Sequence, residues 1–274
     1  MGVNPGAALL LTADLTRISW LLRHAGARKA PYALLDAFLE RLGPEGTLVI
    51  PTFNHDLRSG DRYDPRRSPT ITGSLGQAAL RHPAFARTGN ALHSFAVAGR
   101  LQPEFLAVEA TSSFGERSAF ALLRMYRFRL LALDMHADQA FSYFHHVEEL
   151  EAVPYRHWRT LDLEYVGPDG GSSRRSFRLY AKRPGYANEI TALLPLLSAS
   201  GAMSTGRAAG LDLLSIDLEG AHGVIANDIR SNKARSIVRF TLRTWLRDIW
   251  HTLVPARSMS RSAQLLRDLD AGAL

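Results

Sequence analysis

Cysteine is absent from the 274 residues, which excludes disulfides, thiolate metal sites and a cysteine nucleophile and leaves oxygen and nitrogen groups to carry any chemistry. Long apolar runs are missing too. No window approaches the run of about 18 apolar residues that a membrane span needs, and the start MGVNPGAALLLTADL has no basic segment and is broken by Thr12 and Asp14. The expectation is a soluble, unexported, cytoplasmic protein. The absence of G-x-G-x-x-G, G-x-x-x-x-G-K-[ST] and G-x-S-x-G removes the motifs of Rossmann, P-loop and hydrolase-elbow sites. H-E-x-x-H and histidine-rich tracts are also missing, so no metal site is expected. Acidic residues are in the minority, 26 against 33 basic, for a formal charge of +7. Such an excess concentrates anionic ligands around a protein and repels cationic ones. No aromatic-interleaved basic motif accompanies it, so nucleic acid is not expected as a partner.

What is present is a globular composition, 46% hydrophobic, without internal repeats or low-complexity linkers. The first half alternates strand-like runs with amphipathic stretches: AALLLTADL, PYALLDAFLERLG, GTLVIPTF, GSLGQAALRHP and LHSFAVAG. That alternation predicts an α/β fold. In PYALLDAFLERLG, residues Leu34, Leu35, Phe38 and Leu42 share one helical face, proline stands near the start, and Gly43 stands where a C-terminal cap belongs. RLLALDM reads as another buried strand, and RTLDLEYVGPDGGSSRRSFRLYAKR as a hairpin around its PDGG turn. The intervening NHDLRSGDRYDPRRSPTITG has little periodicity and reads as a binding loop or lid. KARSIVRFTLRTWLRDIWHTL is helical by pattern, with Val238, Leu242, Trp245, Leu246 and Ile249 on one side and Arg235, Arg239, Arg243 and Arg247 on another. The expectation there is a helix packed on the core with a solvated arginine face, and membrane contact is disfavoured. The body is expected to span residues 1–250, with 251–274 a tail or short docked helix.

The stretch FSYFHHVEELEAVPYR, residues 141–156, carries the one constellation suited to catalysis. Read as a helix, it places Ser142, His145, Glu148 and Glu149 on a polar ridge beside an apolar face of Phe141, Phe144 and Val147. A histidine at the edge of a packed face and close to a carboxylate can act as a general base near neutral pH. Spacing alone is weak support, because most such pairs are ordinary intrahelical contacts.

Context comes from the order GTLVIPTFN, YDPRRSPTITGSLGQAALR, RTGNALHSFAVAG, SSFGERS and SYFHHVEELEAVPYR. Together these segments resemble the antibiotic N-acetyltransferase family, which includes the aminoglycoside 3-N-acetyltransferases, over about residues 6–225. The resemblance implies a mixed sheet flanked by helices and a transfer of an acyl group from acetyl-CoA or another acyl-CoA to a primary amine, without a metal. It places His145 at the catalytic histidine, Glu148 at the helix glutamate and Ser142 where the family has threonine. Thr52, on the P-T after the GTLVI strand, joins Ser142 and backbone N–H groups as a candidate oxyanion donor. Ser94, His93, Arg67, Phe114 and Gly115 fall on matched segments and are candidates for binding the donor. Asp64, Gln77 and Asn90 are candidates for the acceptor. Arg58, Arg62, Arg66, Arg67 and Arg81 could form a basic rim for the phosphates of coenzyme A. Glu189 stays open as an alternative carboxylate for His145.

The chain departs from the family pattern in four places. Asn90 and Ala91 replace H-P, Gln77 replaces a glutamate, alanine follows Ser118 where proline is usual, and Thr12 replaces the histidine of an H-x-S-L segment. The basic balance, Gln77 at an often acidic position and the resemblance of HHVEELEAVPYR to the branch acting on nucleotide-linked amino sugars favour an amino sugar or related anionic biosynthetic amine as acceptor, with aminoglycoside 3-N-acetylation second. A non-catalytic ligand-binding or partner-binding member is the third expectation, and a homodimer is allowed.

Overall fold

The computed structural model describes residues 3–167, 169–253 and 260–270. Its strands are β1 (Ala8–Ala13), β2 (Thr47–Pro51), β3 (Arg62–Tyr63), β4 (Ala86–Arg87), β5 (Phe95–Gly99), β6 (Arg129–Leu133), β7 (Arg156–Val166), β8 (Ser172–Lys182), β9 (Tyr186–Asn188), β10 (Met203–Ala208), β11 (Leu211–Asp217) and β12 (Val238–Phe240). The helices are α1 (Leu15–His24), α2 (Ala30–Leu42), α3 (Ser74–Arg81), α4 (Gln102–Leu106), α5 (Ala119–Met125), α6 (Ala137–Ala140), α7 (Phe144–Leu150), α8 (Leu193–Ala199), α9 (Leu218–Asn232), α10 (Leu242–Leu253) and α11 (Arg261–Asp270).

Seven strands form one mixed sheet in the order β10-β11-β6-β1-β2-β5-β4. The central strands β6, β1 and β2 run parallel, and the outer ones pair antiparallel. The reason lies in the side-chain period of two. Leu9, Leu11, Leu48 and Ile50 point to a face covered by Ile18, Leu35, Leu42 and Leu75 of α1, α2 and α3. Leu10, Val49, Val97 and Leu130 point to the opposite face, against Phe105, Phe120, Phe144 and Leu218. Burying a side chain of this size contributes about 1.5–3 kcal/mol, so both faces hold the sheet between helices. A third core gathers Tyr63, Leu161, Leu163 and Phe177 of the β3-β7-β8 sheet with Ala263 of α11.

The α/β class, the α2 helix and the β7–β8 hairpin agree with the sequence reading; Pro168 of the hairpin turn lies outside the described residues. Two expectations change. Residues 238–240 are a strand paired with β9, so Val238, Arg235 and Arg239 do not belong to the C-terminal helix, which starts at Leu242. Periodicity misled there because a short antiparallel bridge to Tyr186–Asn188 overrides local helical preference. The segment from Phe141 is also not one helix. Phe141 ends α6, Ser142 and Tyr143 turn the chain, and α7 covers only Phe144–Leu150. Part of the expected tail, 254–259 and 271–274, lies outside the described residues, while α11 is docked.

Candidate active site

β1, β2 and β6 end at Ala13, Pro51 and Leu133, and β5 starts opposite the end of β2, with Phe95 paired to Pro51. Thr52–Asn54, His93, Ser94 and the start of the β6–α6 connection therefore meet at one edge, outside the carboxyl ends of the parallel strands. In open α/β sheets that edge is where ligands bind.

Helix α7 carries the central pair. His145 Nδ1 lies 2.6 Å from Glu148 Oε2, one helical turn apart. The carboxylate is wholly buried, and its other oxygen accepts from Tyr155 Oη at 2.9 Å. Arg156, the first residue of β7, places Nη2 2.7 Å from Glu148 Oε2 and 2.8 Å from His145 Nδ1. Its Nη1 donates to the Tyr180 carbonyl at 2.8 Å. Phe144 and Phe114 flank the imidazole, with ring centroids 4.0 and 5.3 Å away.

The ridge inferred from spacing is thus divided. Glu148 turns inward to His145. Glu149 instead accepts from Ser112 Oγ at 2.6 Å, and burial raises its carboxyl above the ordinary range. Ser142 is half-buried just before α7, and its carbonyl accepts the His145 N–H at 3.2 Å. His146 is buried and donates from Nδ1 to the Phe114 carbonyl at 2.6 Å, pinning the Phe114–Gly115 turn to α7. At Gly115 a Cβ would come within 2.8 Å of Glu149 Oε1, so glycine there allows the turn to approach the helix. Glu189, the alternative carboxylate, lies 3.6 Å from Arg239 in a partly exposed ion pair, leaving Glu148 as the partner of His145.

Electrostatics at the pair favour the neutral imidazole. Burial first, then the Arg156 charge, bring His145 down to about 4, although Glu148 pulls the other way. Glu148 itself is held below its ordinary value: burial opposes ionisation, but the hydrogen bond and charge of His145 and the guanidinium of Arg156 prevail. One ring nitrogen cannot both donate to Glu148 and accept from Arg156. With an ionised carboxylate at 2.6 Å, the proton belongs on Nδ1, Arg156 serves the carboxylate, and Nε2 keeps its lone pair.

A second group surrounds Arg87, a residue with no signal in the sequence. Its guanidinium is enclosed at the sheet edge, donating to Ser94 Oγ (2.9 Å), the Ser68 carbonyl (2.5 Å), the Thr52 carbonyl (2.8 Å) and Asn54 Oδ1 (2.5 Å). Thr52 is fully buried, with its hydroxyl 3.1 Å from that of Ser94. Asp64 caps its own turn by accepting the Arg66 N–H at 2.9 Å. Gln77 donates to the Thr70 carbonyl at 2.8 Å. Asn90 accepts from the backbone of Leu92 and His93, at 3.1 and 2.9 Å. These side chains therefore brace the long loop and the turn before β5. His93 stands between Phe114, at 4.5 Å, and the exposed His55, at 6.1 Å, with its buried Nδ1 lacking a protein partner. Burial first, with neighbouring positive groups, keeps it far below its ordinary pKa.

The expected basic rim does not stand free. Arg62 pairs with Glu164 at 3.7 Å, Arg66 with Asp64 at 3.5 Å, and Arg67 with Asp270 of α11 at 2.7 Å. A cleft of about 730 Å³ opens instead where α1 and α3 begin, lined by Asp14, Trp20, Arg23, His24, Gly73 and Ser74 among others. Among the described residues no group of three or more His, Asp or Glu side chains could hold a metal ion.

The profile of the aminoglycoside 3-N-acetyltransferase family matches residues 10–227. The chain belongs to this family. It is accordingly a transferase of the N-acetyltransferase class, and its fold agrees. The solved structure of aminoglycoside acetyltransferase AAC(3)-Xa is similar with a TM-score of 0.71 and 22% identity, over 83% of this chain and 88% of that one. AAC-IIIb in binary complex with CoASH gives 0.69 and 20%, over 84% and 92%. Sisomicin-bound AAC-VIa gives 0.70 and 17%, over 84% and 94%. All the segments from GTLVIPTFN to SYFHHVEELEAVPYR lie inside the matched range.

Proposed function

We propose that the protein transfers an acyl group from an acyl-CoA to the primary amine of an amino sugar or a related small amine, with His145 as general base. The observation that carries this reading is the pairing of His145 Nδ1 with the buried Glu148 carboxylate at 2.6 Å, in a chain that belongs to an N-acetyltransferase family.

The acceptor nitrogen attacks the thioester carbonyl as the free amine. Its N–H becomes strongly acidic once the C–N bond forms, so an imidazole of low basicity suffices to take the proton. The C–S bond then breaks, and the imidazolium returns that proton to the departing thiolate, which leaves as the free thiol of coenzyme A. Glu148 stabilises the imidazolium formed in this exchange and keeps Nε2 unprotonated beforehand. Ser142 and backbone N–H groups next to it are our candidates for the oxyanion, since the Thr52 hydroxyl is enclosed with Ser94.

AAC-IIIb binds CoASH, and the cleft beside Arg23 and the start of α3 offers a guanidinium and a helix N-terminus for the phosphates. Asp14 caps α1 by accepting the Thr16 N–H at 2.8 Å, so the start of α1 presents a carboxylate and the phosphates belong nearer α3. His93, Phe114 and Gly115 adjoin His145 and would border the reacting thioester. Asp64, Gln77 and Asn90 would shape the acceptor side by holding the loop and turn in place. The excess of basic side chains favours an acceptor that carries negative charge over a polycationic one.

The test is release of free thiol from acetyl-CoA with a panel of amino sugars, nucleotide-linked ones first and aminoglycosides second. His145→Ala is expected to lower kcat by about 10²–10⁴ with little change in melting temperature. Wild-type turnover in the alanine variant would remove His145 as the base. Failure of the wild type to bind acetyl-CoA by calorimetry would reject the donor.

A further inference from the structure

Helix α10 reverses the usual orientation of an amphipathic helix. Thr244 and Asp248 face the body, where Asp248 Oδ2 accepts the Gly185 N–H at 3.1 Å. The apolar side faces solvent: Leu242 is 65% exposed, Leu246 56% and Trp250 67%. Phe240, which precedes the helix, and Trp245 continue this surface. At 100° per residue, Leu242, Trp245, Leu246, Ile249 and Trp250 occupy one continuous arc, and Arg243 and Arg247 border it.

An exposed face of this kind requires a partner to cover it. Charge selects between the two plausible kinds. Residues 233–250 hold five basic side chains, Lys233, Arg235, Arg239, Arg243 and Arg247, against one acidic, Asp248. A symmetric dimer built on this face would draw both sides of the interface from this one segment, residue i against residue j, and its five basic side chains would find only Asp248 as an acidic partner there. An anionic surface would instead meet arginines around a Trp- and Leu-rich face, the composition of helices that lie in a bilayer interface.

We propose that α10 docks the protein on an anionic lipid bilayer, with Leu242, Leu246 and Trp250 entering the headgroup layer and Arg243 and Arg247 contacting phosphates. The helix also adjoins the candidate active site. The turn after β8 touches Trp245, because a Cβ at Gly185 would meet Phe240 and Trp245 within 3.0 Å. Lys182 at the end of β8 feels both Glu148 and Asp248. Docking through α10 would therefore hold the His145 side of the molecule close to the lipid surface.

The test is co-sedimentation of the full chain with phosphatidylcholine vesicles, with and without phosphatidylglycerol. Binding is expected only to the phosphatidylglycerol vesicles, is reversed by raised salt, and falls at least tenfold in Leu246→Glu/Trp250→Glu. Arg243→Glu/Arg247→Glu is expected to weaken it as well. Both substitutions fall on exposed positions, and circular dichroism melts confirm folding. Independently of any variant, brominated lipid in the anionic vesicles is expected to quench tryptophan fluorescence, and Trp250→Phe to reduce that quenching. No association of the wild type, or equal binding to neutral vesicles, overturns the proposal. So does a dimer seen by light scattering that Leu246→Glu/Trp250→Glu dissociates, because a second copy would then be the occupant.

Discussion

Arg156 is the residue whose role differs most from what its place in the chain suggests. As the last letter of PYR it reads as one more basic residue, yet its Nη2 approaches both Glu148 Oε2 and His145 Nδ1, at 2.7 and 2.8 Å. It neutralises the buried carboxylate, and its charge helps hold His145 at about 4. Burial is the larger cause of that lowering and Arg156 the second, and together they outweigh the upward pull of Glu148. In Arg156→Gln, His145 is expected to rise from about 4 toward its ordinary value, because Glu148 then opposes burial alone. The acid limb of kcat/KM then moves up in pH, so activity falls at acidic pH and is largely kept at alkaline pH. A rate loss equal at all pH values would show that Arg156 only supports the fold. Tyr155 contributes from the same segment by filling the second oxygen of Glu148, and its own hydroxyl is raised by burial and by that carboxylate.

Among the elements, the long loop of residues 54–73 owes its order to contacts from three distant parts of the chain. Arg87 of β4 binds it through Ser68 and Asn54. The strand β3 within it pairs with β7. From α11, Ser262 contacts Asp56 and Asn54, and Asp270 pairs with Arg67. Arg87→Met would leave the Ser68 carbonyl and the Asn54 side-chain oxygen without this donor and the Thr52 carbonyl with the Ser94 hydroxyl in place of two donors, at a cost of about 3 kcal/mol. Urea unfolding measures that loss, and a change below about 1 kcal/mol would mean that solvent replaces the guanidinium. The same elements show how far sequence could be read. α2 was legible because one of its faces is apolar at the helical period, and the central sheet strands because each is a short continuous apolar run buried on both faces. The Arg87 cluster was not, because its partners come from segments up to 35 positions away and share no pattern.

For the whole molecule, buried histidines tie stability to pH. His145 and His222 are both brought down to about 4, chiefly by burial, and His93 lies far below its ordinary value. His222 is enclosed between Arg124 Nη1 and Tyr143 Oη, each at 3.0 Å. Unfolding returns each of these groups to about 6.5. Below that pH the unfolded chain binds more protons than the folded one, and stability falls as pH drops through the window down to about 4. The melting temperature is therefore expected to be flat above about pH 6.5 and to decline below it; a rise on acidification would contradict the buried neutral imidazoles. The amino-acid sequence by itself determined the α/β class, the family segments and the His145–Glu148 spacing, because periodicity and local spacing are properties of neighbours along the chain. Tertiary structure alone decided that Glu148 turns inward while Glu149 does not, that Arg156 becomes a buried cation and Arg87 a half-buried one tied into the loop, and that α10 presents its apolar face to solvent. Burial, charge compensation and the direction in which a helix faces depend on segments that meet only when the chain is folded.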